Sequence, residues 1–181
     1  MRKFKSAAFA AALSLAGFAS AASATTFLYD FTSNDGTETA TGTLTATSNG
    51  DGTFTATSGS ITATGPVVTG AGSLIANGSA PTEITSPSGA FLYDDQVLPS
   101  QNPLITNGGL LFTVNGNELN IFSNGPGPGT YSFYTWTGGY NATSGNFTLT
   151  AVPEPATWAM MLVGLGVLGS VMRAQRKLAT A

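Results

Sequence analysis

Residues 37–58 read TETATGTLTATSNGDGTFTATS, and this stretch decides the fold class. Threonine occupies every odd position from 37 to 47. Threonine is β-branched and suits the exposed face of a pleated strand, whereas the side chains between the threonines point to the other face. Leu44 and Ala46 are therefore expected to point inward. The pattern predicts a β-strand with one hydroxyl-rich, solvated face.

The same stretch contains a near-repeat that predicts a hairpin. Residues 42–48 (GTLTATS) return at 52–58 as GTFTATS, with Asn49-Gly50-Asp51-Gly52 spanning the junction. Asn-Gly and Asp-Gly pairs between two alternating runs are typical of tight β-turns. We expect the two runs to pair, with Leu44 and Phe54 on one inner face.

Further short alternating runs extend this pattern along the chain and predict an all-β domain. Gly, Pro and Asn clusters separate them, as is typical of an antiparallel β-sandwich, with a jelly-roll-like arrangement or a barrel as the alternative. Residues 79–107 read as a long loop over the sheet. A disordered Ser/Thr-rich stalk is the competing interpretation, but the repeated apolar residues at alternating positions argue against it. The additional strand candidates are 26–32, 60–64, 109–114, 118–122, 129–137 and 145–151.

The charges are distributed very unevenly. Residues 25–152 contain no Lys or Arg but eight acidic residues, a net charge of −8. A region without cations cannot replace the counterions on phosphate, so a nucleic-acid partner is not expected. The chain has neither His nor Cys, which excludes His-based triads, thiol nucleophiles and the usual zinc sites. No cofactor is expected. The eight acids are Asp30, Asp35, Glu38, Asp51, Glu83, Asp94, Asp95 and Glu118.

Residues 1–24 have the organisation of a secretory signal peptide. Arg2, Lys3 and Lys5 precede a short apolar run, which ends on an A-x-A site formed by Ala22 and Ala24. We expect a signal peptidase to cut after Ala24. The exported domain would then comprise residues 25–152.

The C-terminal end has the composition of a membrane anchor. Residues 156–172 are 17 uncharged residues, enough for roughly 26 Å of helix. The basic tail at 173–181 follows, with Arg173, Arg176 and Lys177 predicting a cytoplasmic C-terminus. The bulk of the chain would lie on the other side of the inner membrane.

Residues 152–161 read VPEPATWAMM, and together with the apolar run and basic tail they resemble the PEP-CTERM sorting signal of Gram-negative bacteria. The residues that carry the resemblance are Pro153, Glu154, Pro155 and Trp158. The resemblance implies an exosortase-like membrane peptidase that cuts near the Pro-Glu-Pro motif and passes the protein to the cell surface. It also implies an association with exopolysaccharide and biofilm. Two prolines disfavour helix and keep the motif extended.

Candidate binding chemistry is sparse in the exported domain. Asp94 and Asp95 are adjacent carboxylates and weak calcium candidates, but no ligand-loop spacing surrounds them, so a solvated loop pair is the favoured interpretation. Either could also pair with Glu83 or Glu118 as a glycosidase carboxylate pair, provided that the carboxyl groups lie less than roughly 10 Å apart. No metal site is otherwise expected.

Aromatic residues are concentrated in residues 131–140. On a strand, Tyr131 and Phe133 face one way and Tyr134 and Trp136 the other. Tyr134, Trp136 and Tyr140 are the candidate carbohydrate-stacking residues, with core packing as the alternative. The sequence thus favours a non-enzymatic, surface-sorted matrix protein, with a carbohydrate-binding module as the second hypothesis and a carboxylate glycosidase as the third.

Overall fold

The computed structural model describes residues 24–153 and 161–166. Residues 24–152 contain eleven β-strands, and residues 161–166 are helical. The all-β expectation is confirmed. The strands are β1 Ala24–Ser33, β2 Thr39–Ser48, β3 Phe54–Thr64, β4 Gly70–Leu74, β5 Ile84–Thr85, β6 Leu92–Tyr93, β7 Gln96–Val97, β8 Leu110–Val114, β9 Asn117–Ser123, β10 Tyr131–Trp136 and β11 Tyr140–Val152.

Eight of these strands close into an antiparallel barrel. The hydrogen-bonded order is β2-β1-β11-β10-β9-β8-β4-β3, and β3 pairs in turn with β2. The barrel alternative therefore describes the domain, and the expected two-sheet sandwich does not. The physical reason is the β2–β3 pairing, which runs nearly the full length of both strands and joins the two ends of the sheet. Closure leaves none of the eight strands as a free edge.

The hairpin predicted from the repeat is the β2–β3 pair. Leu44 is fully buried, and Phe54 packs against the same core, edge-on to Phe27 at 5.2 Å between ring centroids. A bulge interrupts the register between Thr45 and Ala46. Because of this bulge, the side chains of β3 that point into the barrel are at even positions before it (54 and 56) and at odd positions after it (61 and 63). All four of these residues are apolar.

The barrel interior is a single aromatic-rich core. Each strand contributes alternate side chains, and the intervening threonines of β2 are exposed or half-buried as expected. The buried Tyr29 hydroxyl donates to the carbonyl oxygen of Ser60 at 2.9 Å. The largest fully buried side chains of this core include Phe27, Phe31, Leu44, Ile61, Ile105, Leu110, Phe112, Leu119, Ile121 and Phe133. These contacts rule out the disordered stalk for the described residues.

Residues 75–95 cross the outer face of the barrel and are called the outer segment below. They contain β5 and β6, which form a separate two-stranded sheet. Phe91 and Tyr93 of this segment are buried against Leu111, whose neighbours in β8 face the barrel core. The first part of the expected long loop at 79–107 is thus a second layer over β8, β9 and β10, with a small apolar core of its own. Its remainder returns to the barrel, where β7 pairs with β3 and Val97 and Ile105 join the main core.

Strand β4 has no counterpart among the predicted strands. Its sequence, GAGSL, contains no β-branched or aromatic residue. Glycine is needed at Gly72 because a Cβ there would overlap the carbonyl oxygen of Thr113 on β8. The strand is defined by its two neighbours, β3 and β8, and not by its own side chains.

The structure describes little of the expected signal peptide and of the expected C-terminal anchor. Within residues 24–153 and 161–166, none of the helical structure has the length and apolar character needed to span a membrane. Most of the expected span 156–172 lies outside the described residues and stays a prediction. The same holds for Ala22 and the rest of the signal peptide before Ala24, for Glu154, Pro155 and Trp158, and for Arg173, Arg176 and Lys177.

Candidate functional site

A groove of about 370 Å³ lies between the outer segment and the outer face of the barrel. One wall comes from the outer segment, around β5 and β6. The other comes from β9, β10, the start of β11 and the turn before β8. The groove mixes aromatic faces with carboxylate and amide groups. Its lining residues are Glu83, Ala90, Phe91, Leu92, Asn107, Gly108, Asn120, Phe122, Tyr134 and Tyr140.

Two of the three predicted stacking residues line this groove. Tyr134 and Tyr140 are 6.3 Å apart between ring centroids, and Tyr140 is 57% exposed. Trp136 does not line the groove but packs behind Tyr140 at 4.8 Å and against the apolar core of the outer segment. The Tyr140 hydroxyl donates to the carbonyl oxygen of Ala90 at 2.9 Å. Trp136 therefore supports the position of Tyr140.

The predicted alternation along β10 is confirmed. Tyr131 and Phe133 lie in the barrel core, and Tyr134 and Trp136 face outward beneath the outer segment. Tyr131 and Phe133 are thus core residues, as the core-packing interpretation of the aromatic run expected. Tyr134 and Trp136 contact the outer segment, beside the groove.

The two adjacent aspartates are buried, so the expectation of a solvated pair is wrong. Asp94 accepts hydrogen bonds from the Thr106 hydroxyl at 2.5 Å and from the Gln96 N–H at 3.1 Å. Burial raises the pKa of Asp94, although these hydrogen bonds oppose the rise. Asp94 fastens the end of the outer segment to the turn that precedes β8.

Asp95 is fully buried and adopts a left-handed backbone conformation with φ of 54°. Its carboxylate accepts the Asn77 N–H at 2.7 Å and the Leu111 N–H at 3.4 Å. Burial raises the pKa of Asp95 to about 7, against the lowering effect of these two donors. Asp95 joins the start of the outer segment to its end and to β8.

Neither aspartate belongs to a metal-binding cluster in the described part of the chain. Residues 24–153 and 161–166 contain no group of three or more acidic side chains placed to hold a metal ion. Asp94 and Asp95 instead bind groups of their own chain. The calcium interpretation therefore gains no support from the geometry.

Glu83 and Asp94 approach each other across Gly108. A Cβ placed on Gly108 would lie 3.0 Å from Glu83 Oε1 and 3.1 Å from Asp94 Oδ1. These two oxygens are therefore no more than about 6 Å apart, a separation that does not exclude a carboxylate pair of the retaining-glycosidase type. Glu118 has a different role, since it accepts the N–H and the hydroxyl of Ser88 and fixes the tip of the outer segment.

Asn120 is a site residue that the sequence reasoning missed. It lies opposite Tyr134 in the β9–β10 ladder, and it is 2% exposed. Its amide nitrogen donates to the carbonyl oxygens of Leu92 at 3.3 Å and Gly108 at 3.1 Å, while its Oδ1 has no partner in the part of the chain that the structure describes. The only available signal was one amide in the apolar run Leu119-Asn120-Ile121-Phe122.

Comparison with known proteins is informative only at the C-terminal end. No curated protein and no solved structure matches the chain. The PEP-CTERM protein-sorting motif matches residues 151–177, which begin at the last residues of β11 and include Pro153, Glu154, Pro155 and Trp158. The chain therefore carries the PEP-CTERM sorting motif of exported proteins, and this motif implies processing by an exosortase, a membrane protein.

Proposed function

We propose that this protein is a non-enzymatic structural component of the cell surface or of the exopolysaccharide matrix of a biofilm. A signal peptidase removes residues 1–24, and the C-terminal segment holds the precursor in the inner membrane with its basic tail in the cytoplasm. An exosortase then acts near the Pro-Glu-Pro motif. The observation that carries this proposal is the sorting motif at the end of a barrel that contains no cation.

The position of the two ends supports this topology. Strands β1 and β11 are antiparallel neighbours, so the start of β1 lies beside the end of β11. Ala24 and Pro153, where the described domain begins and ends, consequently lie at the same end of the barrel. A precursor attached at both ends would keep that end of the barrel at the membrane surface.

The groove lies near the start of β11, at the opposite end of this strand from the sorting motif. Tyr140 begins β11 and Val152 ends it. At about 3.3 Å per residue, the strand carries Tyr140 roughly 40 Å from the sorting motif. A barrel attached through Val152 would therefore present its groove away from the membrane, where matrix polymers are found.

The carboxylates of the domain support a non-enzymatic role. Asp94 and Asp95 are occupied by hydrogen bonds from their own chain, and Glu118 is held by Ser88. Among the described residues, Glu83 is the only acidic one that lines the groove. A glycosidase needs both a carboxyl acid and a second carboxylate free to act on substrate or water.

A carbohydrate-binding module is the second candidate function, and one observation favours it. Tyr134 and Tyr140 form an aromatic lining beside amide and carboxylate groups. Sugar rings stack on aromatic faces while their hydroxyls bind polar neighbours, and such mixed concave sites are typical of small-molecule binding. The two functions are compatible, because a matrix protein can hold polymer through such a site.

Cell fractionation combined with intact mass tests the sorting proposal. We expect the full-length chain or its signal-processed form in the membrane fraction, and a shorter form that begins at Thr25 and ends near residue 153 at the surface or in the medium. Replacing Pro153, Glu154 and Pro155 together by alanine should leave the protein in the membrane. The control is Asp51→Asn, on an exposed turn. Full-length protein confined to the cytoplasm would overturn the proposal.

A further inference from the structure

We propose that the groove binds a sugar that carries a free amino group, as in a partly deacetylated hexosamine polymer. This inference rests on the proposed carbohydrate-binding role and gives it a ligand class. Four features of the groove lead to it: a surplus of hydrogen-bond acceptors, an unpartnered buried amide oxygen, two converging carboxylates, and a space kept open by a glycine.

The polar groups of the groove mainly accept hydrogen bonds. Glu83 offers a carboxylate and Asn120 an amide oxygen, whereas the amide nitrogen of Asn107 already donates to the carbonyl oxygen of Ser123. The Tyr140 hydroxyl donates to the outer segment. Such a groove suits a ligand rich in donors, and hydroxyl groups together with an ammonium group meet that need.

The orientation of Asn120 is fixed by its neighbours. Turning the amide by half a rotation would place its oxygen against the carbonyl oxygens of Leu92 and Gly108, where it could accept nothing. Oδ1 must therefore remain without a partner among residues 24–153 and 161–166. A buried acceptor left unpaired is unfavourable, so a donor from a bound ligand would remove an existing cost.

Gly108 keeps the space between the two carboxylates open. Its backbone does not require glycine, since its φ is not in the left-handed region, but a Cβ would lie within 3.1 Å of both Glu83 and Asp94. An ammonium group bound in the groove beside Gly108 would donate a charge-assisted hydrogen bond to Glu83, the carboxylate that lines the groove. Charge-assisted hydrogen bonds of this kind are about twice as strong as neutral ones.

The aromatic residues and the overall charge favour the same ligand. Tyr134 and Tyr140 can stack on a sugar ring, and aromatic faces also attract cations. Residues 25–152 contain eight acidic residues and no Lys or Arg, so the domain repels an anionic polymer such as a polyuronate. A neutral sugar would gain the stacking but not the charge interaction.

Binding of defined oligosaccharides to the full-length protein in mild detergent tests the inference. The probes are a glucosamine hexasaccharide, its fully N-acetylated form, cellohexaose and an oligogalacturonate, each titrated by calorimetry with and without EDTA. We expect the glucosamine probe to bind about tenfold more tightly than cellohexaose, which corresponds to about 1.4 kcal/mol. The oligogalacturonate should not bind, and EDTA should change nothing.

Three variants separate the contributions. Glu83→Gln should reduce the glucosamine affinity about tenfold and leave cellohexaose binding unchanged. Gly108→Ala should weaken glucosamine binding because it fills the space between the carboxylates, and Tyr140→Ala should weaken both ligands. Asp30→Asn, on β1 and outside the groove lining, is the matched control and should bind as the parent does. Circular dichroism confirms that each variant is folded.

Several results would overturn the inference. They are equal or tighter binding of cellohexaose or of the N-acetylated probe, unchanged glucosamine binding by Glu83→Gln, and binding that requires calcium. None of these outcomes affects the sorting proposal, which depends on where the protein is found. Conversely, a protein that stays in the cytoplasm but binds glucosamine would overturn the sorting proposal alone.

Discussion

Thr26 and Val152 lie directly opposite each other in the β1–β11 ladder. Thr26 is the second residue after the expected signal cleavage site, and Val152 directly precedes the sorting motif. The two termini of the processed domain are therefore paired strands of one sheet. A cut at either end must take place within a few residues of hydrogen-bonded backbone.

Processing at the C-terminal end should be limited by this short distance. Val152 is paired with Thr26 in the sheet, and Pro153, the first residue of the motif, follows it directly. We therefore expect the barrel to hinder the access of a membrane peptidase to the motif. Inserting six Gly/Ser residues after Val152 should speed conversion of precursor to mature form. Pulse-chase labelling followed by electrophoresis measures the rate.

The control for this experiment is the same six residues inserted after Gly138, in the β10–β11 turn. That insertion should leave the conversion rate unchanged because it is far from the motif along β11. Equal rates for all three proteins would show that the barrel does not hinder the peptidase.

Stability should fall as pH rises from about 4 to about 7. The pKa of Asp95 is raised to about 7 in the folded protein, above the value of about 3.9 for an unfolded aspartate. Between these values the folded state binds more protons at Asp95 than the unfolded state, so the contribution of Asp95 to the free energy of unfolding is largest below about pH 4. The contribution of Asp95 is on the order of 4 kcal/mol, and it is lost progressively up to about pH 7. Urea unfolding as a function of pH measures it.

Asp95→Asn should flatten this pH dependence, because an amide does not ionise. Some slope should remain because burial also raises the pKa of Asp94. Asp51→Asn is the matched control, since hydrogen bonds from Thr53 lower the pKa of this exposed residue and place its titration below the window. A wild-type slope in Asp95→Asn would contradict the assignment.

Gly72→Ala should destabilise the barrel strongly. The new methyl group would overlap the Thr113 carbonyl oxygen and push β4 away from β8, breaking one of the eight contacts that close the sheet. We expect a loss of about 3 kcal/mol or more, in the range for steric disruption of a packed core. Gly78→Ala is the control, because nothing lies within 4 Å of a Cβ at that position. The melting temperatures of both variants are measured by thermal unfolding. Equal melting temperatures would contradict the role of β4 in closing the barrel between β3 and β8.

Prolonged incubation with the glucosamine hexasaccharide or with cellohexaose should release no reducing ends. Asp94 is poorly placed to act as a catalytic acid or nucleophile, because it is buried and its Oδ1 accepts hydrogen bonds from both Thr106 and Gln96. If reducing ends appear and Asp94→Asn abolishes them, the carboxylate pair with Glu83 is catalytic and the non-enzymatic proposal is wrong.

Local sequence was sufficient for most of the barrel strands. The alternation in β2, β3 and β11 is visible because each of these strands has one face in water and one in the core, which gives a period of two. Strands β8, β9 and β10 are buried on both faces, and their apolar and aromatic residues predict them instead. The bulge in β3 also has a sequence signature, because the inward-facing apolar residues change from even positions (54 and 56) to odd positions (61 and 63). Strand β4 could not be predicted, because Gly72 is required by the close approach of the Thr113 carbonyl and not by strand propensity.

The sequence by itself determined the strand pattern, the charge separation and the sorting motif, since each depends on residue type and local spacing. Only the tertiary structure decided between sandwich and barrel, because closure depends on which distant strands meet. It also decided the site. Asp94, Glu83 and Asn120 are 11 to 37 residues apart in sequence, and they meet at Gly108 because the outer segment folds back over β9.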